Sequence, residues 1–345
     1  MQGLPKNENL PISKLISCFN NTSATYKFYW LLSILEQVEN GKLFIPKIDL
    51  FAGMVSQAWY TVHYFHISFG KSDILGDHIQ KLKEIENLEI DTPRNLIYEK
   101  LIQSENKHTQ RLLKHFDRNV PHWFLSPWFP NCNQNEIYRR SNDISQLALY
   151  SLSNDFVTIN QSWVRYLQEN AGIIRSFCLW NLSLFLQARN PNIPDIPNKL
   201  IKPAYRNSLT KQRGYWNIIF NELNTIKCIY TDDLLMKNDY ALEHFIPYNF
   251  ISHDLIWNLI PSNSCFNIKK SDKLPRLDIH FQPFYDIQKK GVEIMTEKHP
   301  RHPLLEDYLT IFPNLHDSFT PERYYKHLQP LITIASNNGF ELLNV

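Results

Sequence analysis

Apolar residues recur at helical spacing through the first half of the chain. In YKFYWLLSILEQVENG they fall at Phe28, Leu31, Leu32, Leu35 and Val38, and Gly41 supplies a stop. The run DLFAGMVSQAWYTVHYFHISFG predicts a second helix, capped by Asp49 and ending near Gly70. Two more polar helices are expected around residues 73–90 and 93–116. NVPHWFLSPWFPNCNQ carries three prolines and four large aromatics, which predicts a loop packed onto a surface. LALYSL and FVTIN flank Ser153-Asn154-Asp155 and predict a short β-hairpin. A long helical pattern then runs from about Gln161 to Ala188.

The pattern breaks at ARNPNIPDIPNKL, where three prolines fall within seven residues and remove backbone donors. This places a domain boundary near residues 190–205, between a domain of residues 1–195 and one of 205–345. Ile193 and Ile196 could anchor the connection. Beyond it the sequence predicts a helix ending near Leu223 and a short strand at KCIYTDD. Two more strands follow at YALEHFIP and WNLIPSN, then a helix opening at CFNIKKSDK with Ser264 or Asn263 as cap. The C-terminal remainder reads as a helical extension. The fold class expected is α+β, mostly α, with no internal repeat and no low-complexity tract.

Composition narrows the function. With 345 residues, 43% hydrophobic and 13% aromatic, the chain can build a real core. A net charge of only +2 removes any bulk-charge argument for nucleic-acid binding, so a local patch would have to serve. Lys269, Lys270, Lys273 and Arg276 form one candidate, and Arg139 with Arg140 another, although small basic clusters are most often solvated faces. The five cysteines are scattered and form no C-x-x-C pair, the pattern of single buried thiols in a reducing compartment. No secretory signal opens the sequence, and no run approaches the ~18 apolar residues of a membrane span. The cytoplasm is therefore the expected location. Nine glycines with no phosphate-cradling loop argue against an NTP-driven motor, while a nucleotide messenger bound in another way stays open. His63, His66, His78, His108, His115 and His122 invite a metal reading. No carboxylate is suitably spaced near them, and aromatics surround them, so partly buried helix histidines are expected.

The chemistry concentrates in residues 242–275. Glu243-His244-x-x-Pro247 comes first, then Asn258 within N-L-I-P, then N-x-x-K-S-D-x-x-P from Asn267 through Lys270. A His-Pro strand alone is usually structural, and a helix lysine is usually solvated; the ordered combination is what points to a site. It resembles the HNH, or ββα-metal, endonuclease family, and most closely the HNH domain of the CRISPR effector nucleases. The resemblance covers roughly residues 225–276. The helical N-terminal region is of the sort found on HNH proteins of bacterial defence and restriction loci.

The resemblance implies a strand, a loop, a second strand and a helix that converge on one site. His244 would be the general base, because an imidazole titrating near ~6.5 can take a proton from water at neutral pH. Glu243 and Asn267 would offer carboxylate and carboxamide oxygens to one hard divalent cation, Mg²⁺ or Mn²⁺. Many relatives carry Asp where Glu243 stands. Asn258 would hold the loop and orient His244. Lys270, one helical turn past Asn267, would meet the phosphate as a point charge. His253, in the loop, is expected to face solvent. Many HNH domains also carry two C-x-x-C pairs for a structural zinc. Here the first reads Cys228-Ile229-Tyr230-Thr231 and no second pair follows Lys270, so no zinc is expected. Packing by Phe250, Trp257, Phe266 and Phe281 would replace it.

The function this implies is metal-dependent hydrolysis of DNA in anti-phage defence or restriction, with residues 1–195 serving recognition or regulation. The products would carry 5′-phosphate and 3′-hydroxyl ends. RNA or tRNA is the rival substrate, since the metal site does not tell ribose from deoxyribose. A non-catalytic nucleic-acid-binding module is the rival from another class, against which the intact Glu243, His244, Asn258 and Asn267 argue. No membrane partner is expected. Because one metal site cuts one strand at a time, a homo-oligomer or repeated nicking is expected, and because a free nuclease is toxic, a regulatory defence partner or narrow specificity.

Overall fold

The computed structural model describes residues 3–201 and 208–344. The chain divides into two compact units, one of Met1–Pro191 with Ile196–Lys202, the other of Asn192–Asp195 with Pro203–Val345.

The first unit is built on the helices Tyr26–Glu39 and Lys47–His63, which bury Trp30, Leu31, Leu35, Leu50, Phe51 and Trp59. They approach closely at Gly53, where an added Cβ would lie 2.8 Å from the Ser33 hydroxyl oxygen. The second helix starts at Lys47 behind Pro46 rather than at an Asp49 cap, and it ends at His63, well short of Gly70. His66 lies past its end in a left-handed conformation (φ 51°), so His63 and His66 do not share a helix face. Residues 93–116 hold two helices, Arg94–Gln103 and Lys107–Lys114, the second capped by the Asn106 side chain. The proline-rich stretch contains a short helix, Val120–Phe124. The pattern expected to run from Gln161 to Ala188 is broken at Asn170, between Gln161–Glu169 and Ala171–Gln187. There the Asn170 amide donates to the Tyr166 carbonyl at 2.9 Å, a local bond that competes with the helix.

The expected hairpin is present as β2 (Tyr150–Leu152) and β3 (Phe156–Ile159), but a third strand joins it. This strand, β1 (Phe44–Pro46), pairs antiparallel with the other edge of β3, Phe44 opposite Thr158.

Burial pushes the His63 imidazole down to about 4 and lowers those of His78, His115 and His122 from their usual range. The unfolded chain binds a proton below about 6.5 that the folded chain refuses at His63. Stability owed to a neutral His63 is therefore constant above that pH and is lost as the pH falls from about 6.5 toward 4. At pH 5 the expected loss is about 2 kcal/mol. Urea unfolding at pH 7 and pH 5 checks this, and an equal loss in His63→Phe would reject it.

The second unit opens with the Thr210–Leu223 helix, followed by a hairpin of β4 (Thr225–Lys227) and β5 (Leu234–Met236). A second hairpin pairs β6 (Ala241–His244) with β7 (Leu259–Ser262), and the helix Ser264–Lys270 follows directly. The helical extension comprises Leu277–Lys298, the 3₁₀ turns of Pro303–Thr310, and Pro321–Asn337. The core of this second unit includes Trp216, Phe245, Phe284, Tyr308 and Tyr324, all fully buried. Among the described residues no helix is long and apolar enough to cross a membrane.

Candidate active site

The β6–β7 register places Glu243 opposite Ile260 and His244 opposite Leu259. The Phe245 amide donates to the Asn258 carbonyl at 2.8 Å, so bonded pairs alternate from that point and Pro261, opposite Leu242, falls at a non-bonded position. A strand proline is tolerated there because no ladder donor is missed. The following helix is capped by the Asn263 side chain, which accepts from the Phe266 amide at 3.0 Å. The two hairpins are tied by the Asn263 amide, which donates to Asp233 at 2.9 Å.

Asn258 is fully buried in the 3₁₀ turn Ile256–Asn258 just before β7. Its carboxamide accepts from the Ile246 amide at 2.9 Å and donates to the Ile246 carbonyl at 2.8 Å. It therefore closes the neck of the loop; neither bond reaches the His244 ring. Asn258→Ala would leave both Ile246 groups buried and unpaired, with an expected loss of about 2–4 kcal/mol. Urea unfolding measures the loss, and a change below ~0.5 kcal/mol would show that the neck closes without it.

Successive side chains of a strand point to opposite faces. His244 leaves the hairpin toward the loop, where its Nε2 lies 2.9 Å from Asp254 Oδ1, with both side chains mostly buried. A carboxylate acceptor fixes the proton on Nε2 and turns the Nδ1 lone pair toward any incoming water. Sequence reasoning passed over Asp254. It lies ten residues past His244 in an irregular loop, where spacing does not tell which side chain turns back.

Glu243 leaves toward the helix, where Oε1 meets Lys270 Nζ at 2.5 Å. The Lys270 ammonium also donates to the His244 carbonyl at 3.0 Å. Lys270 is fully buried, and so is absent from the surface patch the sequence suggested; its ammonium serves strand β6 from behind. Asn267 lies one turn earlier on the same helix face and is half-buried. Among the described residues no group of three or more histidines, cysteines and carboxylates could hold a metal. A small, hard cation needs no such group, since it binds through one or two carboxylates and keeps several waters. Glu243 and Asn267 fit that chemistry. The Tyr230 hydroxyl, buried and without a hydrogen-bond partner, is raised well above its ordinary range by burial and by the Glu243 charge. It is thus a protonated hydroxyl with no partner beside the Glu243 charge, and its oxygen remains able to accept a hydrogen bond.

The remaining predicted residues fall elsewhere. Lys269 is exposed, while Arg276 pairs with Asp278 at 2.6 Å. Arg140 lies over the Phe129 ring. His253 does not simply face solvent: its ring lies 5.2 Å from Trp257 and its Nδ1 accepts from the Leu255 amide. Phe250, Trp257 and Phe281 are buried, and Phe266 stacks on Tyr230. Cys228 sits under the cap of the motif helix, where its sulfur accepts from the Asn263 amide at 3.4 Å. Burial alone would push this thiol up, but the Thr231 hydroxyl and neighbouring backbone amides hold it below its ordinary range.

Residues 224–276 match the family model described as HNH endonuclease. No curated protein and no solved structure matches the chain.

Proposed function

We propose that the chain, whose residues 224–276 match the HNH endonuclease family model, hydrolyses phosphodiester bonds in DNA with a single divalent cation, Mg²⁺ or Mn²⁺. The observation that carries this reading is the His244–Asp254 pair at 2.9 Å, on a hairpin whose other face holds Glu243.

In this mechanism Asp254 holds the imidazole with its proton on Nε2. Nδ1 of His244 accepts a proton from the attacking water, and Asp254 stabilises the imidazolium that forms. Glu243 and Asn267 would hold the cation, which when bound supplies Lewis-acid chemistry at the phosphate and at the leaving 3′ oxygen. Lys270 holds the Glu243 carboxylate toward the helix, and Asn258 keeps the loop closed on the strand ends. Residues 1–195 serve as a recognition or regulatory domain, and residues 205–345 are the nuclease with its helical extension. A role in defence against foreign DNA accords with the family resemblance; a second copy would join two cuts into a double-strand break, and a control partner would restrain the nuclease.

The test is parallel incubation of the protein with plasmid DNA and with structured RNA, each with Mg²⁺ or Mn²⁺ and with EDTA. Metal-dependent nicking of the plasmid is the expected result. Cleavage confined to RNA would overturn DNA as substrate while leaving the site assignment in place.

A further inference from the structure

The backbone from Asp254 to Trp257 is gripped by side chains from four helical segments, all outside residues 224–276. From Thr210–Leu223, Gln212 donates to the Asp254 carbonyl at 3.0 Å. From Leu277–Lys298, Gln288 donates to the Ile256 and Leu259 carbonyls at 3.4 and 3.0 Å. From Pro303–Thr310, Asp307 accepts from the Ile256 amide at 2.9 Å. From Pro321–Asn337, the Tyr324 hydroxyl donates to the Trp257 carbonyl.

Ile256 opens a 3₁₀ turn whose preceding residue, Leu255, has no side chain able to cap it. The first amides of such a turn have no partner within it, and a carboxylate is the favoured acceptor. Asp307 supplies that cap from fifty-one residues away in sequence. The segment so fixed runs from Asp254, which sets the His244 ring, into the turn that ends at Asn258, which closes the loop. A tilt of this turn would move the Asp254 carboxylate relative to His244, and misplacement by about 1 Å can cost roughly 100-fold in rate.

Resting on the reading of His244 as general base, we propose that Asp307 is a positioning residue for the His244–Asp254 pair, acting through the Ile256 amide. It does not touch substrate. Its carboxylate oxygen, rather than its charge, does the positioning, so a carboxamide in the same place should serve.

The test compares full-length Asp307→Ala and Asp307→Asn with the unaltered chain. Amide exchange reports on Ile256, the NMR signal of the His244 Nε2 proton reports on its bond to Asp254, and single-turnover cleavage separates kcat from KM. In Asp307→Ala we expect faster Ile256 exchange, a shifted or broadened Nε2 signal, and kcat lowered about 10- to 100-fold with KM within about two-fold. Asp307→Asn is expected to restore all three to within about three-fold. An unchanged Nε2 signal and kcat in Asp307→Ala, or failure of Asp307→Asn to rescue, overturns the proposal. Should Asp307→Ala not fold, Tyr324→Phe removes one bond of the same grip and is expected to shift the Nε2 signal in the same direction; no shift overturns the proposal. The exchange and NMR arms need no substrate. A chain that cuts no nucleic acid would thus sink the proposed function and still leave the positioning role decided.

Discussion

His244→Ala is expected to lower the rate of plasmid cleavage by about 10²–10⁴-fold, the range lost when a positioned general base is removed. The fold should survive, since the ring is partly exposed and its one hydrogen bond is to Asp254. Loss of the ring leaves the Asp254 carboxylate to water. KM should change little, because a base that acts on water contributes to the transition state more than to substrate binding. Asp254→Asn gives an intermediate phenotype. Its carboxamide can still meet Nε2, but it stabilises the imidazolium less and can present an N–H that selects the wrong tautomer. Equal cutting by His244→Ala and the unaltered protein would remove His244 from the mechanism altogether.

Lys270→Met is expected to be the most damaging single change to stability. The Glu243–Lys270 pair is buried at 2.5 Å, and removing one partner of such a pair costs about 3–5 kcal/mol by stranding the other charge. Glu243→Gln combined with Lys270→Met should recover most of the loss, since replacing both members of a buried pair is often close to neutral. Hydrogen exchange at the β6 and β7 amides reads the effect locally. The double variant should nevertheless bind divalent cations poorly, because its strand no longer offers a carboxylate. If Lys270→Met alone leaves the exchange of these strands unchanged, the pair is not what holds the hairpin to the helix.

Long helices were legible in the sequence because apolar spacing persisted over many residues, as in Tyr26–Glu39. The β6–β7 hairpin and its helix were legible because chemistry and turn residues marked both ends. The strands β1, β4 and β5 were not: the strand expected at KCIYTDD is mostly the turn between β4 (Thr225–Lys227) and β5 (Leu234–Met236), and the pairing of such short segments is set by partners outside them. The break at Asn170 was hidden because apolar periodicity continues on both sides of it. The residue types of the site could be read from their order along the chain. Two of its features could not. Asp254 reaches His244 only because a loop folds back, and Lys270 is buried because one turn of a seven-residue helix faces strand β6. A lysine at that spacing reads as surface until the strand is placed behind it.

The grip on residues 254–257 also limits modularity. A cassette limited to residues 224–276 would carry every residue of the motif, yet omit Gln212, Gln288, Asp307 and Tyr324. Grafted onto another host protein, it would present Asp254 to His244 from a segment with nothing to set its angle. The smallest transplantable nuclease therefore extends from the helix that begins at Thr210 through Leu343, since the Leu274 amide donates to the Glu341 carbonyl and the Leu343 amide to the Leu274 carbonyl, both at 2.8 Å. Swaps between such proteins are best made at those outer limits, where the cut leaves the supports of the turn travelling with it.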